Sequence, residues 1–403
     1  MNRHPGGLFV RGRGGDTADL REHNLALVLR HLRDHGPSSR AQIADSSTLG
    51  LSTLTGMIGE LKALDLVTEG LADTQSRLGR PTHAVSLSGD GWVVAGLRVD
   101  VDGVRAKTAT VRGDHLGSYA DRADLRGGDP AQAIRMLASA IDWIVESVDP
   151  PRVLTAVSIA VAGRVSPWGD VVVRSDALEW AAVDLASGVR AELAERGRGG
   201  AVVQVVSDSA AAALGLVRGE LRERIGERTM LYFGGERTVA GGVLVAGEPA
   251  IPGGLGESDF ARIPVTIEDG SSRRLGDVVA LAGVLTTAGV RSVREAAQLV
   301  DRSPREALSM LLAAVAEGDE AAAGAVAAVM AALSQAIEAA VAVVGAEVVV
   351  LDGYLGVLGT LITPSVDAEV EVIALPSHPS RVVDGAVFAA RDARLSHPSR
   401  IRD

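Results

Sequence analysis

Between Arg21 and Leu87, three short stretches of helical periodicity are separated by strong breakers and followed by a strand of alternating polarity. Few folds accommodate that order. Leu25, Val28, Leu29 and Leu32 recur at the spacing of one helix face. Gly36-Pro37 stops that helix. Ser38 or Ser39 offers a cap for a second helix, from Arg40 to about Asp45, with Ile43 and Ala44 inward. A turn, Thr48-Leu49-Gly50-Leu51, leads to a third helix. Ser52 is its expected cap, and Leu54, Met57, Ile58 and Leu61 are its inward face. Leu64, Leu66 and Val67 close a small core; a polar loop, Asp73 to Pro81, then precedes an alternating strand, His83 to Leu87. Three helices and a hairpin with a basic loop are the plan of a winged helix-turn-helix.

That plan places the third helix in the DNA major groove, which at about 12 Å admits one helix. The candidate DNA contacts are Arg40 on the second helix, Ser52, Thr53, Thr55 and Lys62 on the third, and Arg77 and Arg80 in the wing. Ser and Thr discriminate bases less sharply than Arg, Asn or Gln, so specificity would lean on DNA shape and on the wing. A small helical protein-interaction domain is the competing reading. Charge separates the head from the rest. Residues 1–88 carry 10 Lys+Arg against 9 Asp+Glu, while the remainder carries 30 against 42. Only the near-neutral head suits a polyanionic partner. Residues 1–20, with Gly6, Gly7, Gly12, Gly14 and Gly15 beside Arg3, Arg11 and Arg13, read as a flexible tail.

From Asp90 the texture becomes α/β. Strands are expected at Val93 to Val99, Val104 to Val111, Leu116 to Tyr119, Val153 to Val161 and Val202 to Val206, with a helix from Ala131 to Val148. A helix from Ser209 to about Gly219 leads to a second unit, with strands at Thr229 to Phe233, Val239 to Val245, Glu347 to Leu351 and Val370 to Ala374. Helices there run from about Gly276 to Ala288, Val293 to Leu299, Pro304 to Glu317 and Asp319 to Val344, and the last starts near Asp384. The expected organisation is a tail (1–20), a winged helix-turn-helix (21–88), a first α/β lobe (89–205) and a second (206–403) whose final helix packs back. A cleft is expected between the lobes.

Several segments then carry a resemblance: Asn24 to Gly36, Ser39 to Leu71, Leu78-Gly79-Arg80-Pro81, Ala162-Gly163-Arg164-Val165, Ser207-Asp208-Ser209-Ala210 and Val348 to Gly353. In this order the chain resembles the ROK family, in which sugar kinases and sugar-responsive transcriptional regulators share a two-lobed, actin-like (ribonuclease-H-like) body. The resemblance implies a repressor or activator of carbohydrate genes, with repression the expected direction, reading palindromic DNA as a homodimer or higher homo-oligomer; the absence of cysteine fits a reducing cytoplasm. The resemblance further implies a small-molecule effector in the cleft, held by Asp208 and Glu257, which match the family's base and sugar-binding glutamate. A regulator without a small ligand, acting constitutively or through a protein partner, is the alternative, and an active sugar kinase a remote one.

Departures from the family's pattern argue against catalysis. A kinase needs glycine turns that bring backbone N–H groups to phosphate. Here the first reads Asp100-Val101-Asp102-Gly103-Val104, and the second, Gly234-Gly235-Glu236-Arg237, holds an acid. Family asparagines fall at Ser207 and Ala177, and the histidine that would also bind zinc falls at Phe260, so Phe260 and Ala177 are expected to make the pocket apolar. Cysteine is absent, and the histidines beyond residue 88, His115, His378 and His397, show no ligand spacing, so no zinc site is expected; no other metal and no cofactor is expected either. Asp208 at a strand-to-helix junction also reads as a plain helix cap. The run Arg218 to Arg224 reads as a solvated face. Trp143, Trp168 and Trp180 read as core or rim. The apolar stretch Ala321 to Ile337 reads as a buried helix and not a membrane span.

Overall fold

The computed structural model describes residues 17–47, 49–71, 83–88, 91–148, 151–250, 260–376, 378 and 380–398. The head comprises α1 (Thr17–His35), α2 (Arg40–Ser46) and α3 (Leu51–Ala63), then an antiparallel ribbon of β1 (Val67–Leu71) and β2 (His83–Leu87). Residues 17–20, expected in the tail, already belong to α1; residues 1–16 lie outside the described residues. Gly36, at φ 73°, turns the chain out of α1. Ser38 then exchanges both backbone hydrogen bonds with Val85 of β2. Ser39 caps α2 in a capping box with Gln42. Ser52 does not cap α3. The cap position is the extended Gly50, which has no side chain to offer, and Ser52 sits inside the first turn.

The body repeats one sheet order twice. Its first lobe runs β3 (Trp92–Asp100), β4 (Gly103–Thr110), β5 (His115–Arg122), α4 (Pro130–Glu146) and β6 (Val153–Val161). A small sheet of β7 (Arg164–Val165), β8 (Val172–Ser175) and β9 (Trp180–Val183) follows, then α5 (Leu185–Glu195) and β10 (Val202–Ser207). The order across the main sheet is β10-β6-β3-β4-β5. β3 pairs antiparallel with β4 and parallel with β6, which pairs parallel with β10.

The chain continues through α6 (Asp208–Gly215), a π-turn (Leu216–Glu220) and α7 (Arg222–Ile225). Next come β11 (Thr229–Gly234), β12 (Ala240–Val245), β13 (Glu248–Pro249), a 3₁₀ turn (Phe260–Arg262), β14 (Pro264–Thr266) and β15 (Ser272–Arg274). Five helices follow: α8 (Leu275–Val279), α9 (Leu281–Thr287), α10 (Val293–Arg302), α11 (Pro304–Ala316) and α12 (Glu320–Val344). The chain ends with β16 (Val348–Leu351), α13 (Gly353–Leu361), β17 (Glu371–Ala374) and α14 (Arg381–Ser396). This second sheet is ordered β13-β12-β11-β16-β17, the same plan as the first. In both, parallel neighbours are joined by helical crossovers, as parallel pairing requires. The expected helix from Gly276 to Ala288 is two helices, because Ala280 takes an extended ψ of 121°. α12 is long and apolar enough to cross a membrane, but Ala325, Val329, Leu333 and Ile337 are buried in the second lobe's core.

Two features position the sites. First, the head has no closed core of its own. Leu25, Leu29, Ile58 and Leu61 join one apolar cluster with Val94, Ala109 and Ala156 of the first sheet and with Ala390 and Leu395 of α14. Second, α6 and α14 cross against each other and against the first sheet. Glycine permits that approach: a Cβ on Gly385 would overlap the Ala211 carbonyl oxygen.

Candidate DNA interface and interlobe cleft

The inward face of α3 is Leu54, Met57, Ile58 and Leu61, which leaves Ser52, Thr53, Thr55 and Lys62 exposed on the other side. Between them, Gly56 and Gly59 have no neighbouring atoms within 4 Å of where a Cβ would stand, so the backbone itself is accessible. The Thr55 hydroxyl donates to the Leu51 carbonyl at 2.9 Å, which leaves its oxygen lone pairs facing outward. Arg40 and Lys62 are not free. Both reach the Glu69 carboxylate of β1, at 2.6 Å and 3.0 Å. Hydrogen bonding from Lys62 and Arg40 holds that carboxyl below its ordinary pKa. The sequence reading missed Glu69, whose only signal was an acid inside a strand beside two predicted phosphate contacts. Arg77 and Arg80 lie outside the described residues.

Between the lobes lies a cavity of about 190 Å³, lined by residues of both. Asp208 stands at its wall as the first residue of α6. The cap of that helix is Ser207, whose hydroxyl accepts from the Ala210 N–H at 3.1 Å. The reading of Asp208 as a plain cap is therefore corrected: the preceding residue does that job, and the carboxylate turns to Arg98. Arg98 Nη2 lies 2.9 Å from Asp100, 3.4 Å from Asp208 and 3.5 Å from Glu236. Burial disfavours the Arg98 charge, but the three carboxylates outweigh it and hold its pKa above the ordinary value. Burial pushes Asp208 the other way, raising it; Arg98 opposes this, while Asp100 and Glu236 add to it. Asp100, closer to Arg98, is held below the ordinary range despite its burial. Arg98 had a sequence signal, a lone cation inside the apolar strand Val93 to Val99. Its partners come from other elements and had none.

On the opposite wall, Asp352 caps α13 and accepts from its own Gly353 N–H at 2.7 Å and from Tyr232 Oη at 2.9 Å. Arg381, at the start of α14, pairs with Asp352 and, at 3.1 Å, with Glu220. Burial raises both the Asp352 carboxyl and the Tyr232 phenol. Ala177 lines the cavity. Phe260 does not; it packs on Phe233 at 4.6 Å, in the second lobe's core. Glu257 lies outside the described residues. The chemistry available is a polar pocket rich in paired charges, able to exchange an internal ion pair for a ligand's hydrogen bonds.

The run Arg218 to Arg224 is a solvated face only in part: Glu220, Arg222, Glu223 and Arg224 are exposed, but Arg218 is not. The π-turn after α6, kinked at Gly219 (φ −116°, ψ −107°), carries Arg218 inward, where its side chain is 13% exposed. Arg218 meets Asp34 of α1 at 3.0 Å and also pairs with Glu248 of β13. Arg222 donates to the Asp34 carbonyl. Beside them, Arg33 of α1 is 6% exposed and reaches Asp392 of α14 at 2.6 Å, Asp34 at 2.8 Å and Glu248 at 3.0 Å. One cluster therefore ties the head to the second lobe and to α14. Arg394 further along α14 lies over Trp92 at 5.2 Å, and burial pushes its pKa down to about 10. Of the tryptophans, Trp180 is buried and bonds the Gly128 carbonyl, Trp143 packs against Tyr119, and Trp168 is exposed.

No family model matches the chain, and no curated protein matches it. Solved structures do. The chain is similar to a ROK family transcriptional regulator, described as a homologue of the E. coli MLC protein, at 16% identity and TM-score 0.71 over 95% of this chain and 98% of that one. It is similar to a ROK family glucokinase from Streptomyces griseus, solved with glucose and AMPPNP, at 17% identity and TM-score 0.51, covering 74% of this chain and 99% of that one. A ROK hexokinase from Thermus thermophilus gives 18% identity and TM-score 0.53, covering 74% and 97%. The chain thus has the fold of a ROK regulator, a winged helix-turn-helix followed by a two-lobed α/β body.

Proposed function

We propose, starting from that fold, that the protein is a DNA-binding transcriptional regulator, acting as a repressor, whose body senses a small molecule instead of phosphorylating one. The observation that carries this reading is the exposed face of α3, where Ser52, Thr53 and Thr55 surround two bare glycines on a head fused to a two-lobed body. That face is flat and hydroxyl-rich, suited to close approach along a groove, with Lys62 and Arg40 at its edge for phosphate. Arg77 and Arg80 join the proposal as wing contacts, and the working form is a cytoplasmic homodimer on a palindromic site, since two heads multiply effective concentration.

The body supports sensing over catalysis. Asp208 is neutralised by Arg98, and Glu236 and Asp100 fill the space beside it with negative charge, which repels nucleotide phosphates. We assign Asp208 and Glu257 as effector contacts. Enrichment of sheared genomic DNA on the purified protein, at about 0.15 M salt to suppress purely electrostatic binding, tests the reading. A sharp motif beside a few operons is the expected result. No enrichment, together with ATP-dependent sugar phosphorylation lost in Asp208→Asn, would turn the reading to a kinase.

A further inference from the structure

Three arginines without partners meet beside the interlobe cleft. Arg164 opens β7 in the first lobe, Arg262 ends the 3₁₀ turn before β14, and Arg274 ends β15. They line an open depression of about 710 Å³ together with Thr238 and Asp277. None of the three makes a side-chain hydrogen bond or ion pair among the described residues. Most other arginines of this acidic chain do, including Arg98 and Arg381 in the inner cavity. Asp277 is the one carboxylate among the described residues of this wall, so those residues carry an excess of two positive charges.

Thr238 lines both this depression and the inner cavity, so the two spaces adjoin. The neighbouring Arg237 lines the inner cavity, and its buried Nε has no acceptor; nor has the Nε of Arg98. Two guanidinium N–H donors therefore stand without acceptors where the depression adjoins the inner cavity. Guanidinium groups match phosphate oxygens in geometry as well as charge, and a concave wall of one sign concentrates counter-charge.

We infer that Arg164, Arg262 and Arg274 form a binding site for the phosphate group of a phosphomonoester, whose remaining part enters the inner cavity. The site stands on these residues alone; that its occupant is the effector rests on the regulator reading.

The test is equilibrium dialysis of the full chain against labelled inorganic phosphate, then glycerol 3-phosphate, at a constant ionic strength of about 0.15 M set with chloride. One saturable site per chain is expected. Arg262→Ser and Arg274→Ser should each weaken it roughly tenfold, whereas Arg305→Ser, at an exposed arginine of α11, should not. The targeted side chains are exposed, and unchanged thermal transitions would verify that the variants fold. Glycerol 3-phosphate binding more tightly than inorganic phosphate supports a phosphomonoester; the reverse order overturns that part. Binding without saturation, or equal losses in Arg305→Ser, overturns the site. Phosphate binding by a protein that enriches no DNA keeps the site and sinks the regulator reading, and DNA enrichment without phosphate binding does the opposite.

Discussion

At Asp208 the structure changes what the residue means without moving it. The sequence motif located the aspartate, but its role depended on a neighbour, Ser207, that takes the cap, and on Arg98, which no local pattern connects to it. The consequence is a pH signature. Burial raises the folded pKa of Asp208 above its unfolded value, so the folded state holds the proton more tightly. Ionisation then costs stability as pH rises through that interval, and the cost is complete above the folded pKa. Wild type should therefore lose stability relative to Asp208→Asn as pH rises above the ordinary carboxylate range, measured by urea unfolding. A difference independent of pH would contradict this. In the head, Glu69 holds Arg40 and Lys62. Glu69→Gln releases both cations. We expect tighter binding to duplex DNA and a steeper fall of log affinity with log salt, by up to about 0.9 per cation that gains a phosphate. Fluorescence anisotropy at several salt concentrations reads that slope, and an unchanged slope would show that the cations already reach DNA.

At the scale of elements, periodicity served where burial is one-sided and failed where it is not. The single-faced α1, α3 and α4 were legible from their apolar spacing. α13, buried among glycines and leucines, showed no face, and α5 and the small β7–β8–β9 sheet lacked a pattern long enough to read. The break at Ala280 left no proline or glycine to mark it. The crossing of α6 and α14 was equally invisible, since close approach shows in sequence only as a glycine. It yields a paired prediction. Gly385→Ala in α14 places a Cβ into the Ala211 carbonyl and should destabilise the protein by at least about 2 kcal/mol, as overpacking does. Gly324→Ala in α12 meets no atom within 4 Å and should stabilise by up to about 1 kcal/mol through helix propensity. Urea unfolding of the two variants gives opposite signs if the crossing is as described; equal signs would reject it.

Across the whole molecule, α6 and α14 both begin in the cleft and both lead to the head. α6 starts at Asp208 and runs through the π-turn to Arg218; α14 starts at Arg381 and carries Asp392. Their far portions meet α1 at Arg33 and Asp34. A change in lobe spacing at the cleft thus has a direct mechanical route to α1, and the head shares one apolar core with the first lobe and α14. The composition texts of head and body differ, so the sequence separated them as domains; the contacts joining them are long-range ion pairs that composition cannot reveal. Breaking the cluster has a cost. Arg33→Met strands three carboxylates around Arg218. Because Asp34 and Glu248 are partly exposed, the loss should be about 2 kcal/mol and not the full cost of a buried pair.

If the Arg33 ion pairs fix the head on the body, the head should hold one orientation relative to the first lobe. The chain contains no cysteine, so spin labels can be placed cleanly at Ala63→Cys on α3 and Arg135→Cys on α4, both exposed. The measurement is the distribution of distances between them by pulsed dipolar spectroscopy. One narrow distribution in this background, broadened or shifted by adding Arg33→Met, is the predicted result. A broad distribution before Arg33 is touched, or one that Arg33→Met leaves unchanged, would contradict this expectation.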